Sequence, residues 1–185
     1  MTRTYDIAVL VGSLRAGSFN RKLAETLAEL APDSLSFRFV EIGDMPLYNP
    51  DLDGDTPPAP WARLRAEIGK AEGVLFVTPE YNRSVPAAIK NALDIGSRPM
   101  GASVWKGKPA AIASGSPGAI GGFGANHHLR QPLVFLDMPA MQQPELYLGG
   151  IAKLFGEGAE LSDDTRAFLK GFADAFAAWV EKHAA

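Results

Sequence analysis

The sequence predicts an α/β fold in which one parallel sheet of five strands has helices on both faces. Strand-like and helix-like patterns alternate from one end of the 185 residues to the other. Two of the strands, 7–11 and 73–78, are continuous apolar runs, as expected where a strand is buried on both faces. Neither an internal repeat nor a linker breaks this pattern, so residues 1–185 are expected to form a single domain.

The composition argues against several classes of protein. A formal net charge of −3 suggests no basic surface for nucleic acid. The chain has no cysteine, and therefore no disulfide framework, thiolate nucleophile or thiolate metal site. Its apolar runs are shorter than a signal-peptide core at the start and shorter than a membrane span elsewhere. A cytoplasmic protein with small-molecule partners, and with neither nucleic-acid nor membrane partners, is expected.

The first half of the chain follows the alternation closely. After the strand at 7–11, Leu23, Leu27 and Leu30 place one apolar stripe on a helix. Residues 35–42 alternate apolar and polar side chains, which predicts an edge or near-edge strand. The segment 43–60 contains five prolines and is predicted to be a long ordered loop or lid.

The second half continues in the same way. The predicted elements are a helix over 61–71, a strand over 73–78, a helix from near Pro86, a strand over 109–114, a helix over 123–136 and a shorter strand over 142–148. The run Ser162-Asp163-Asp164 is predicted to cap a last helix, with Phe168, Phe172, Phe176 and Trp179 on one face.

The loop between the first strand and the first helix has the composition of an anion site. Ser13, Arg15, Ser18 and Asn20 bring two hydroxyls, a guanidinium and a carboxamide to the start of that helix. A helix N-terminus offers unpaired N–H groups and a partial positive charge, which attract anions. The alternative is that Ser18 and Asn20 only cap the helix and that Arg15 is a solvated surface residue.

The type of anion follows from comparison with two known phosphate loops. Gly12 and Gly17 are spaced as in a P-loop, but Ser18-Phe19 stands where that loop requires Lys-Ser/Thr. The dinucleotide pattern G-x-G-x-x-G is also absent, because Ser13-Leu14 occupies the positions where backbone must approach a pyrophosphate. A terminal monophosphate is therefore favoured over ATP or a dinucleotide.

Two later loops suggest what that phosphate is attached to. Prolines restrict both ends of the loop 78–86, so a rigid wall with Tyr81 could cover a planar heterocycle. Glycines in the loop 114–122 would let backbone approach a flat ligand. A plain strand-to-helix turn capped by Ser84, and a flexible turn, are the respective alternatives. If the strand order is 2-1-3-4-5, all three loops lie at one edge of the sheet.

Other chemistry-bearing side chains are assigned to the surface. Adjacent His127 and His128 point about 100° apart on a helix, so they are expected to face solvent or a partner and not to share a metal. Lys90 and Asp94, four residues apart, are expected to form a helix-surface ion pair. No G-x-S-x-G motif marks a serine nucleophile.

Taken together, the motifs of this chain resemble those of the NADPH-dependent FMN reductase family, in particular its quinone and chromate reductase branch. The matching motifs are Gly12-Ser13-x-Arg15-x-x-Ser18-x-Asn20, Pro79-Glu80-Tyr81-Asn82-x-Ser84-x-Pro86, Lys90-Asn91-Ala92-x-Asp94, Gly107-Lys108-Pro109, Gly118-x-x-Gly121-Gly122 and His128-Leu129-Arg130-Gln131. Their order and spacing hold over about residues 5–150. The resemblance implies a flavodoxin-like fold with strand order 2-1-3-4-5.

The resemblance also implies a cofactor and the residues that hold it. FMN would be bound tightly, with the phosphate held by Ser13, Arg15, Ser18, Phe19 and Asn20. Its isoalloxazine ring would lie along Pro79, Glu80, Tyr81 and Asn82, with Ser114, Ser116 and Gly118 near its other side. The family forms dimers or tetramers with the flavin close to a subunit contact.

The implied activity is electron transfer from NADH or NADPH through FMN to quinones in a ping-pong cycle. Chromate, free flavin and azo compounds are further implied acceptors. Because the flavin N5 carries the chemistry, no catalytic side-chain nucleophile and no metal are expected. A flavodoxin-type electron carrier without substrate turnover is the main alternative, and a flavin-free regulatory protein is another.

Overall fold

The computed structural model describes residues 3–184 and contains one parallel sheet with six α-helices among those residues. The strands are β1 (Tyr5–Val11), β2 (Leu35–Phe39), β3 (Gly73–Thr78), β4 (Ala110–Gly115) and β5 (Leu146–Leu148). The helices are α1 (Phe19–Leu30), α2 (Ala59–Lys70), α3 (Ala87–Gly96), α4 (Phe123–Phe135), α5 (Ile151–Phe155) and α6 (Asp163–His183).

The strand order β2-β1-β3-β4-β5 confirms the predicted fold. The two apolar runs, β1 and β3, are neighbours at the centre of the sheet, where Val11 lies opposite Val77. The strand β2 is at the edge, as its alternation predicts. All pairs are parallel, so the loops that follow β1, β3 and β4 leave the sheet at the same side, where the carboxyl ends of the strands lie.

Helices bury both faces of the sheet because successive side chains of a strand point to opposite sides. On one face, Val9 of β1 belongs to a buried cluster with side chains of α1, α5 and α6. On the other face, Ala8 and Leu10 belong to a cluster with α2, α3 and α4. Trp61 of α2 and Trp105 are fully buried in that second cluster.

The structure differs from the predictions in the length of β2, which ends at Phe39 instead of residue 42, in the length of β5 and in the buried face of α6. The fifth strand has three residues instead of seven, and Pro144, which has no N–H to donate to a ladder, lies in the part that is not a strand. In α6, Phe172 and Phe176 are buried, but Phe168 is 44% exposed. The buried face passes through Leu169 instead, and an adjacent residue on a helix points about 100° away.

The proline-rich segment after β2 is an ordered loop that contains a short 3₁₀ helix, Pro50–Leu52. The side chain of Asn91 on α3 accepts from the Tyr48 N–H at 2.8 Å and donates to the carbonyl of Pro46 at 3.0 Å. Arg65 on α2 donates two hydrogen bonds, of 2.8 and 2.7 Å, to the carboxylate of Asp53. These contacts fix the segment on α2 and α3. Within residues 3–184, no helix is both long and apolar enough to cross a membrane.

Candidate functional site

Three loops enclose a cavity of about 250 Å³ at the edge of the sheet where β1, β3 and β4 end. The first loop contributes Ser13 and Arg15, and α1 contributes Phe19 and Asn20. The other loops contribute the lining residues Pro79, Glu80, Tyr81, Gly115, Ser116 and Pro117, and α5 adds Ile151. The three loops that the sequence associates with a ligand therefore meet in one place.

At the first loop, the start of α1 is arranged as an anion-binding end. Ser18 is the N-cap, and its Oγ accepts from the N–H of Arg21 at 3.2 Å, which leaves its hydroxyl proton free to donate. The Arg15 guanidinium lies over the Phe19 ring, 5.0 Å from its centroid, and makes a long contact of 3.4 Å with the Gly17 carbonyl. This exposed guanidinium is held weakly enough to turn towards a bound anion.

The Asn20 side chain lines the cavity and also takes part in a contact between two loops. Its Nδ2 donates to the carbonyl of Gly115 at 3.1 Å, so the amide joins the first loop to the third. Its Oδ1 is buried and finds no donor among the described residues. A buried acceptor of this kind is unfavourable by roughly 1–3 kcal/mol. In this geometry Asn20 fixes the relative position of two loops.

The second loop forms a hairpin closed by a two-residue turn. Asn82 and Arg83 have φ values of 51° and 65°, as in the tight turns that suit twisted strands. Two backbone hydrogen bonds of 3.0 Å join Tyr81 and Ser84 across the turn. Tyr81 is 52% exposed beside the cavity, whereas Asn82 lies at the tip of the turn and not in the cavity wall.

The Glu80 carboxylate connects the hairpin to α4 instead of pointing freely at a ligand. Its Oε2 accepts from the N–H of Ala125, and its Oε1 accepts from the Arg83 guanidinium, each at 3.1 Å. A carboxylate suits the first turn of a helix because of the partial positive charge there. A Cβ at Gly124 would lie 2.9 Å from Glu80 Oε2, so glycine at that position permits the close approach.

In the third loop, Ser114 is not among the residues that line the cavity. Its side chain is fully buried, and its Oγ donates to the carbonyl of Gly121 at 2.9 Å, so it supports the loop from behind. Ser116 does line the cavity, and its Oγ donates to the carbonyl of Gly118 at 3.2 Å. The carbonyl of Gly118 thus accepts a hydrogen bond inside the loop, and Gly118 itself does not line the cavity.

Several glycines of this region serve packing rather than ligand approach. A Cβ at Gly121 would lie 2.7 Å from the backbone of Tyr147, and one at Gly149 would lie 2.3 Å from the carbonyl oxygen of Ala119. Both distances are shorter than van der Waals contact, so the loop after β4 can pack on the segment after β5 only with glycine there. Gly115 does face the cavity.

The two adjacent histidines are separated as predicted. His127 Nε2 lies 2.9 Å from the hydroxyl of Tyr147, and His128 Nδ1 lies 2.7 Å from the hydroxyl of Ser84. Burial, together with a hydrogen bond to Glu145, raises the pKa of Tyr147. Across residues 3–184, no three His, Cys, Asp or Glu side chains are grouped closely enough to hold a metal ion.

A larger groove of about 520 Å³ adjoins the cavity between α1 and the end of β2. It shares Ser13 and Arg15 with the cavity, and Ser18 lines this groove and not the cavity. The Arg21 guanidinium stacks there on the Phe39 ring at 3.8 Å and pairs with Glu25 at 2.7 Å. None of its lining residues comes from the second or third loop. The cavity between the three loops is therefore the better candidate for a ligand that carries both a phosphate and a ring.

Comparison with known proteins agrees with this geometry. Residues 5–153 match the sequence model of the NADPH-dependent FMN reductases. The chain belongs to this family. A quinone reductase of Pseudomonas putida is 61% identical over 181 residues, which cover 98% of this chain and 97% of that protein. A 2-hydroxy-1,4-benzoquinone reductase of Burkholderia sp. is 51% identical over 175 residues, covering 94% and 95% of the two chains.

A solved structure of a family relative shows the same fold. FerB, a flavoenzyme NAD(P)H:(acceptor) oxidoreductase from Paracoccus denitrificans, superposes with a TM-score of 0.91 at 43% identity. The alignment covers 98% of this chain and 100% of FerB. The family resemblance inferred from the motifs is thus confirmed.

The cavity between the three loops of this chain suits FMN chemically. The phosphate end has the start of α1, the hydroxyl of Ser13 and the guanidinium of Arg15, a donor set that matches a dianion. The other end has the flat apolar surfaces of Pro79 and Tyr81. Sequence reasoning missed the contribution of Ile151, because five residues of α5 are too few to show a helical period. The pair Gly149-Gly150 just before it was the available signal.

Proposed function

We propose that this protein is an FMN-dependent oxidoreductase that takes electrons from NADH or NADPH and passes them to quinones. One observation carries the proposal. The first loop, which has the donors of a phosphate site, and the wall formed by residues 79–81 line the same cavity. The similarity to a quinone reductase and to a 2-hydroxy-1,4-benzoquinone reductase supports quinones as the acceptors. Chromate, free flavin and azo compounds are further candidate acceptors.

In this proposal the first loop holds the phosphate group of FMN. The N–H groups at the start of α1 have no partner inside the helix and can donate to the phosphate oxygens. Ser13 and Arg15 add a hydroxyl and a guanidinium from the cavity wall, and Phe19 supports the guanidinium. Ser18 lines the neighbouring groove and not this cavity, and its part in holding the phosphate is that of the N-cap of α1. Asn20 contributes indirectly, through its hydrogen bond to the third loop.

The second and third loops place the ring system. Pro79 and Tyr81 provide one wall, while Glu80 and Asn82 act by fixing the hairpin that carries it. Ser116 lies on the other side of the cavity, and the buried Ser114 together with Gly118 keeps that loop in place. FMN, when bound, would supply the hydride-accepting and electron-donating chemistry in two successive half-reactions.

Reconstitution followed by steady-state kinetics tests the proposal. Apo-protein loaded with FMN should oxidise NADH or NADPH in the presence of a benzoquinone, with the parallel double-reciprocal lines of a ping-pong cycle. If no nicotinamide is oxidised but a reduced redox protein reduces the bound flavin, the protein is an electron carrier. A protein that binds no FMN at all would contradict both assignments and favour a flavin-free regulator.

The FMN site is also proposed to lie close to a contact between subunits of a dimer or tetramer. Large apolar side chains on α4 support this arrangement, since Val134 is 76% and Phe135 is 86% exposed. Light scattering coupled to gel filtration tests it, and a monomer at micromolar concentration would contradict it. A cytoplasmic location remains a proposal that cell fractionation would test.

A further inference from the structure

A strained turn stands at the edge of the cavity wall. Its two central residues, Asn82 and Arg83, both have left-handed backbone conformations. Non-glycine residues adopt such conformations at a cost, and they persist where surrounding contacts hold them in place. The turn closes the hairpin between Tyr81 and Ser84. Because Tyr81 lines the cavity, the conformation of this turn sets the position of that wall.

Helix α4 holds the hairpin at both of its ends. At the first end, the N–H of Ala125 donates to Glu80 Oε2 at 3.1 Å. At the second end, Ser84 Oγ and His128 Nδ1 form a hydrogen bond of 2.7 Å. The first contact is made by a backbone N–H in the first turn of α4, and the second by a side chain three residues further along the helix. The N-terminal half of α4 thus supports the hairpin, through residues that do not line the cavity.

We propose that His128 is a positioning residue for the cofactor site. Through Ser84, its imidazole holds the left-handed turn at 82–83 and, with it, the wall formed by 79–81. His127 has no such role, because its Nε2 is directed to the hydroxyl of Tyr147. The inference deepens the proposed function, since the ligand whose ring the wall would meet is FMN.

Backbone exchange in the apo-protein tests the clamp without any ligand. The N–H groups of Tyr81 and Ser84 donate across the hairpin, so their exchange reports how often it opens. Replacing His128→Leu or Ser84→Ala should accelerate exchange at both amides about two- to tenfold, the range of one net hydrogen bond. His128→Asn, whose side-chain amide can replace the Nδ1 contact, should restore most of the protection.

FMN affinity tests the consequence for the site. Each single substitution should weaken FMN binding by about two- to tenfold, and the double variant should be no weaker than either single one, because both remove the same hydrogen bond. The matched control is His127→Leu, at the neighbouring exposed histidine of the same helix, which should leave FMN affinity and hairpin exchange unchanged. The melting temperature should stay the same in all variants, because the bond is exposed.

Three results would overturn the proposal. Unchanged hairpin exchange in His128→Leu would show that the imidazole does not hold the turn. Faster exchange with unchanged FMN affinity would show that the turn does not set the wall. If the losses of FMN affinity in the two single variants add up in the double variant, His128 and Ser84 act separately. If the parent protein binds no FMN, the proposed function fails, and the exchange data still decide whether the clamp exists.

Discussion

Removal of the Arg15 side chain separates phosphate recognition from stability. Among residues 3–184, this exposed guanidinium approaches the Gly17 carbonyl at 3.4 Å and lies over the Phe19 ring at the start of α1. Arg15→Ala should therefore leave the melting temperature of the apo-protein unchanged. A hydrogen bond to a charged group contributes about 1.5–3 kcal/mol, so FMN affinity should fall by roughly 10- to 100-fold. The loss of FMN affinity should be near tenfold if water still reaches the bound phosphate, because water then replaces part of the lost hydrogen bond.

The assay is a titration of apo-protein with FMN, followed by quenching of flavin fluorescence, with riboflavin as a second ligand. Riboflavin has no phosphate, so its affinity should be the same for Arg15→Ala and for the parent protein. The matched control is Arg21→Ala, which removes a guanidinium that stacks on Phe39 in the neighbouring groove. It should change FMN affinity by less than about threefold, since this guanidinium is exposed and already pairs with Glu25 at 2.7 Å. Equal losses for FMN and riboflavin, or no loss for FMN, would refute the assignment of Arg15.

Two further predictions concern stability. Gly149→Ala places a Cβ 2.3 Å from the carbonyl oxygen of Ala119 and should destabilise the fold by about 1–3 kcal/mol, whereas Gly171→Ala, in an open part of α6, should stabilise it by about 0.5–1 kcal/mol. Thermal melts of both variants check this, and equal shifts would contradict the packing argument. The Arg65 guanidinium lowers the pKa of Asp53, so this carboxylate stabilises the fold above pH ~4 and the contribution is lost as the pH falls further. Between pH 3 and 6 the melting temperature of Asp53→Asn should depend less on pH than that of the parent protein. The same pH dependence in both proteins would contradict the role of the pair.

The central sheet could be predicted because its sequence signal is strong and local. Buried parallel strands are continuous apolar runs, and β3 matches its predicted bounds residue by residue. The edge strand and β5 are shorter than predicted because pairing, and not composition, decides where a strand ends. Helix α5 was missed because a single short turn shows no hydrophobic period, although it supplies Ile151 to the cavity.

The site was predicted at the level of loops more securely than at the level of side chains. Spacing alone brings Ser13, Arg15 and Tyr81 to the same edge of the sheet, because parallel strands end there together. It does not indicate which way a side chain at a strand end points. The Asn20 side chain is turned into a contact with the third loop, and the Ser114 side chain into a contact within that loop. Only the packing of the third loop determines both.

The most direct test of the whole account is an anaerobic single-turnover experiment on the FMN-loaded protein. One equivalent of NADH or NADPH, without any acceptor, should abolish the visible absorption of the oxidised flavin. One equivalent of a benzoquinone should then restore it fully. A flavin that neither nicotinamide reduces, or a reduced flavin that the quinone leaves unchanged, would contradict the assignment of this cavity to electron transfer from NAD(P)H to quinones.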